Sequence, residues 1–153
     1  MPAISDDLKA FVEAGAVASV GTRSGDLVPN GLRGWGTRVS ADKTAVEIFV
    51  DRPAAATCIS NLRDNGRIAV CFTEVSTNRS VQLKGRCVEV GDPQAADWTA
   101  VDAHREAFTR EVGLLGFPAQ VVRNMWSTQV VKIRFVVEDI YDQTPGPKAG
   151  RPL

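Results

Sequence analysis

Two rhythms of apolar and polar positions run along this chain. Leu8, Phe11 and Val12 recur at the three- and four-residue spacing of one helical face. Ser5 precedes them as an N-cap, Asp6 and Asp7 suit the positive end of the helix dipole, and Gly15 suits a stop, which predicts a helix over 6–14. A period of two then takes over and predicts strands over 16–22, 27–40 and 44–50, parted by turns at Ser24-Gly25-Asp26 and Ala41-Asp42-Lys43. Pro29, Gly31, Gly34 and Gly36 interrupt the second of these, as expected of a bulged or coiled strand. Pro53 opens a second helix with Ala55, Cys58, Ile59 and Leu62 on one face and Asn65-Gly66 at its end. Strands are expected over 67–75 and 80–90, helices from Asp92-Pro93 to 112 and over 119–126, and a last strand over 128–140. The tail, 142–153, is rich in Pro and Gly and reads as irregular.

Consecutive strands on short turns favour antiparallel pairing, and six strands with few covering helices favour closure, which removes exposed edges. The expected fold class is mainly β with peripheral helices: a six-stranded antiparallel β-barrel in one domain spanning 1–153. A length of 153 residues suits one domain with a core of its own.

Charge removes whole classes of function. Eighteen basic residues balance eighteen acidic ones, so nothing in the net charge attracts nucleic acid or an anionic membrane. No run approaches the roughly 20 apolar residues of a membrane helix, and residues 1–7 lack the pattern of a signal peptide. Cys58, Cys71 and Cys87 are odd in number and form no C-x-x-C pair; they read as buried thiols in a reducing, cytoplasmic compartment. His104 is the one histidine, which leaves no multi-histidine metal site and little room for a Ser-His-Asp hydrolase. Its neighbours Asp102, Arg105 and Glu106 make it read as a solvated helix residue. The enzymatic readings that survive are those in which a cofactor does the chemistry.

Three segments are candidates for that role. In Arg33-Gly34-Trp35-Gly36-Thr37-Arg38, two guanidinium groups suit a phosphate and Trp35 offers a flat apolar surface, together the description of a flavin nucleotide site. The same residues also suit a solvated barrel strand with a Trp plugging the core. At Asp51-Arg52-Pro53 a helix start presents free N–H groups to an anion, with Arg52 and Thr57 beside it; plain capping is the other reading. In Arg79-Ser80-Val81-Gln82-Leu83-Lys84-Gly85, alternation sets Ser80, Gln82 and Lys84 on one face, where they meet either a ring edge or water.

The order of these segments resembles the pyridoxamine 5′-phosphate oxidase-like, FMN-binding split-barrel family. The likeness rests on Arg33–Arg38, on Val46–Val50 through Asn61-Leu62-Arg63-Asp64-Asn65-Gly66-Arg67-Ile68-Ala69-Val70, and on Arg79–Gly85, and covers about residues 6–140. It implies a split barrel, a homodimer with FMN between the subunits, and an oxidoreductase acting on a small molecule. It implies cofactor contacts from Arg33 through Arg38, from Val50 and Asp51 at the end of the third strand, and from Ser80 and Gln82. Where many members have an Arg-Lys pair, this chain reads Ala54-Ala55-Ala56-Thr57-Cys58, so Thr57 and the helix start would serve the phosphate. The chain lacks the longer C-terminal segment of the true oxidase, so pyridoxamine phosphate is not its expected substrate. Trp126 and the 93–126 region are expected at the subunit interface. The alternatives are a split barrel binding F420 or haem, a flavin-binding sensor or carrier without turnover, and nucleic-acid binding on a barrel face.

Overall fold

The computed structural model describes residues 2–153. Helix α1 (Asp6–Glu13) is capped by Ser5, whose hydroxyl accepts the Leu8 N–H at 3.2 Å, and buries Leu8, Phe11 and Val12. Strands β1 (Val17–Arg23), β2 (Pro29–Val39) and β3 (Ala45–Asp51) follow. A single 3-10 turn, Arg52–Ala54, stands where Pro53 predicts the start of a helix, because the Ala55 N–H reaches back only to the Arg52 carbonyl. Helix α2 (Ala56–Asn65) begins after it. Strands β4 (Arg67–Thr73) and β5 (Ser80–Gly91) precede α3 (Asp97–Gly113), α4 (Ala119–Arg123) and β6 (Val130–Asp142).

The six strands close into an antiparallel barrel in the order β1-β2-β3-β6-β5-β4. Alternation sends Val46, Ile48 and Val50 of β3 inward to meet Val20, Val70, Phe72, Leu83, Ile133 and Phe135. Phe49 points outward, yet it is also buried, because α3 lies across that side of the barrel. This explains why β3 is apolar almost throughout: both its faces are covered. The outer cluster gathers Trp35, Phe49, Val101, Phe108, Val112, Val122 and Val130.

Several boundaries differ from the pattern reading: α4 ends at Arg123 rather than at 126, and β6 runs over Val130–Asp142 rather than 128–140. The third helix starts at Asp97 rather than near Asp92-Pro93, because the Asp97 carboxylate accepts the Gln94 N–H at 2.8 Å and closes a turn there. The tail is also more ordered than its composition indicates. It folds back so that Asp142 N–H donates to Arg151, Leu153 N–H donates to Ile140, and Tyr141 pairs with Pro152.

Candidate functional site

The expected irregularity in β2 is a bulge between Trp35 and Arg38. Gly36 makes it, with φ +61° and the Val101 backbone so near that an added Cβ would lie 2.9 Å from it. Without the bulge, Arg33 and Arg38 would face opposite ways. With it, Arg33, Trp35 and Arg38 all lie outside the barrel, while Gly34 and Val39 face its interior.

Helix α3 takes most of that outer surface. Trp35 is only 1% exposed; its indole N–H donates to Asp51 Oδ2 at 3.3 Å, and Phe108 and His104 meet it edge-on. Arg105, 3% exposed, donates to Asp51 Oδ1 at 3.2 Å and to the Ser127 carbonyl at 2.9 Å. Its guanidinium carbon lies 5.4 Å from the Trp35 ring, 5.9 Å from Trp98 and 5.5 Å from Trp126, so the three tryptophans of the chain surround one cation. Arg38 is likewise committed: it bonds Glu47 at 2.7 Å and also Asp97, which Lys132 approaches at 3.5 Å. Burial alone would raise the Asp97 pKa, but the Gln94 N–H, Arg38 and Lys132 outweigh it and hold the carboxyl below its ordinary value.

Arg33 is the exception. Its guanidinium lies over Phe108 at 4.9 Å and Trp35 at 5.7 Å and makes no hydrogen bond or ion pair among the described residues. Burial draws its pKa down, and nearby Asp51 pushes the other way. It stands at the edge of an uncovered sheet face. One register row runs Arg33, Ser19, Cys71, Gln82, Tyr141 across β2, β1, β4, β5 and β6. The next runs Gly31, Gly21, Ala69, Lys84, Asp139. At about 4.8 Å per strand, Arg33 and Gln82 are separated by roughly 14 Å along the sheet. Small side chains floor this face, and a groove of about 420 Å³ opens on it beside Gly21, Ala69 and Lys84, with Arg23 and Arg67 at its rim.

The other residues singled out by the sequence are dispersed. Val50 and Gly34 lie opposite each other and face the core. Thr37 is buried in the bulge, and Asp51 is held by Trp35 and Arg105. Ser80 is buried in bonds to Thr73 and the Asn78 carbonyl. Gln82 and Lys84 share the outer face, as alternation predicts. Thr57 is exposed in the first turn of α2, a helix start with no side-chain cap and no acidic residue, while Arg52 is paired with Asp92.

Two expectations are corrected. His104 is not solvated: it is 3% exposed and its Nε2 bonds the Ala16 carbonyl at 2.8 Å, because α3 turns that face onto the barrel. Of the three free thiols only Cys58 is fully buried, with its pKa pushed up to about 11 by burial; Cys71 and Cys87 are half-buried on β4 and β5. Ser19 and Cys71 were missed as candidate site residues, and Arg105 as a buried cation. The alternation of β1 and β4 marks Ser19 and Cys71 as outward, but only the strand order brings them beside Arg33.

No family model and no curated protein matches the sequence. Solved structures do. HupZ of Group A Streptococcus superimposes over 96% of this chain and 99% of its own with a TM-score of 0.57 at 19% identity. An F420 reductase covers 86% of this chain and 94% of its own at a TM-score of 0.57 and 11% identity. A Clostridium acetobutylicum protein of the pyridoxinephosphate oxidase family, related to general stress protein 26, covers 90% and 87% at 0.52 and 16%. The fold is that of the pyridoxamine 5′-phosphate oxidase-like split barrels. At these identities the likeness carries the split-barrel architecture, and the chemistry rests on the residues. Among the described residues, no helix is long and apolar enough to cross a membrane.

Proposed function

We propose that this split barrel binds FMN on its open outer face and works as a flavin-dependent oxidoreductase in a homodimer. The observation that carries the reading is Arg33: a half-buried guanidinium without a carboxylate partner, stacked on aromatic rings, at the edge of a floor of small side chains. A flavin mononucleotide needs a cation for its phosphate, a flat surface for its ring and polar groups for the ring edge. Arg33 fits the first requirement, Ser19, Gly21, Ala69 and Cys71 the second, and Gln82 the third. Arg38, Trp35 and Val50 fit less well, since two carboxylates, α3 and the core already occupy them.

Bound there, the flavin would supply hydride or electron transfer. The protein's own part is to hold the anion through Arg33, to orient the ring edge through Gln82 and to keep one ring face against the sheet. The partner subunit would cover the other face. Five large apolar side chains at the α3–α4 corner, Leu114, Leu115, Phe117, Val121 and Met125, are more than half exposed, which supports assembly through this region. A haem held by histidine is disfavoured, since the Nε2 of the one histidine is committed to Ala16 beneath Trp35.

The test is the visible absorption of the purified protein, followed by titration with FMN. Flavin bands are expected, with FMN bound at least about tenfold more weakly by Arg33→Met, which keeps the stack and removes the charge. Sedimentation should show a particle of twice the 16.5 kDa chain mass. A colourless protein that ignores added FMN overturns the cofactor, and a monomer overturns the shared site.

A further inference from the structure

The chain just past the end of α1 meets α3 where the Gly15 backbone lies against Ala107. Alongside that contact α1 and α3 leave a groove of about 550 Å³ over the β2 bulge. Its walls are unusually small: Ala14, Ala100, Ala103 and Ala107. Larger side chains at these positions would have filled the space, as helix packing normally does.

We infer that this groove binds a small amphipathic anion: a carboxylate with a hydrogen-bond donor beside it and a slim apolar body. The first support is a pair of unmet polar groups. Thr37 is 4% exposed and His104 3%; both line the groove, and neither Thr37 Oγ1 nor His104 Nδ1 has a partner among the described residues. Buried polar atoms are nearly always satisfied, so two orphans beside one groove mark a place for polar atoms from elsewhere.

Their chemistry specifies what is missing. The Ala16 carbonyl can only accept, so His104 Nε2 carries the proton. Burial holds the ring neutral, and the positive charges of Arg33 and Arg105 reinforce it. Nδ1 is therefore an acceptor that needs a donor, and the Thr37 hydroxyl can give or take.

The rim supplies charge. Lys9, Arg38 and Arg110 line the groove against a single carboxylate, Glu13. Lys9 and Arg38 have acidic partners, whereas Arg110 has no ion pair among the described residues. An anion seated by Arg110, with its donor turned toward His104, would meet the unpaired charge of the rim and the open acceptor of the imidazole. The groove uses neither Arg33 nor any side chain of the open sheet face, so it stands apart from the flavin reading.

His104 is the only histidine, so its ring gives a single set of imidazole nitrogen signals in NMR. The probe is salicylate, with uncharged salicylamide as the comparison. Salicylate should move the His104 signals saturably. Salicylamide, and salicylate with Arg110→Gln, should bind at least about tenfold more weakly. Thr37→Val keeps the side-chain shape; it should leave the thermal midpoint unchanged or higher while weakening salicylate. A hydroxyl with a merely structural role would lower the midpoint and leave binding alone. Ala103→Phe should abolish binding in a folded protein. No saturable movement at millimolar salicylate overturns the inference and leaves the two orphan atoms to water. Loss of the salicylate response when the protein is saturated with FMN also overturns it, by giving the groove to the flavin.

Discussion

A neutral imidazole wedged between the Ala16 carbonyl and the Trp35 edge makes stability depend on pH. The His104 pKa is lowered below its ordinary 6.5 by burial in the folded state, and the unfolded chain keeps the ordinary value. Between the two values the unfolded state binds the extra proton, so stability is full above 6.5 and falls as pH drops below it. Urea midpoints measured from mildly acidic to neutral pH should therefore rise through this window, and His104→Gln should flatten the rise. An unchanged slope in the variant would assign the dependence to other groups. Sequence reading placed His104 in water because Asp102, Arg105 and Glu106 flank it. Those neighbours point elsewhere on a helix, and Arg105 itself is buried among tryptophans. A charged residue inside an apolar stripe gives no signal in one sequence that tells a solvated cation from a caged one. Arg33 was legible as an anion-binding candidate from its place before Trp35 on a glycine-rich strand, and the structure sets its guanidinium over the Trp35 and Phe108 rings.

The elements themselves were largely written in the hydrophobic rhythm. Strands β3, β4 and β5 fall where period two places them, and Gly66 closes α2 where Asn65-Gly66 predicts. What the rhythm could not show is the one-residue bulge that turns Arg38 to the same side as Arg33, because a bulge breaks the alternation by which facing is judged. Glycines stand at two of the sheet's three departures from regularity, and they should differ in consequence. A Cβ at Gly36 would press the backbone of Val101 in α3, an element outside the hydrogen-bonded ladders of the barrel. A Cβ at Gly85 would overlap the Val136 carbonyl inside the β5–β6 seam, where the ladder shifts register and neither strand can leave. Gly36→Ala should cost about 3 kcal/mol, from strain at positive φ together with overpacking. Gly85→Ala should cost more, and denaturant unfolding of the two variants gives the order. A milder effect at Gly85 would mean that the seam is more yielding than its register implies.

At the scale of the molecule, a closed barrel carries one covered flank and one bare one. Closure could be argued from six strands on short turns, but the partition of the outer surface could not. It depends on α3, an insertion between β5 and β6, crossing β2 and β3 rather than β1 and β4. That choice protects Trp35 and Phe49 and leaves Ser19, Cys71 and Gln82 open. It also has an optical consequence. Since Trp35, Trp98 and Trp126 all stand around Arg105, the intrinsic emission of this protein is a local gauge that reads the docking of α3 and α4 and is nearly blind to the far side of the barrel. Arg105→Met should shift the emission maximum while far-ultraviolet circular dichroism keeps its β signature. In a melt of that variant, the fluorescence trace should run ahead of the dichroism trace, and coincident traces would show that flank and barrel come apart as one.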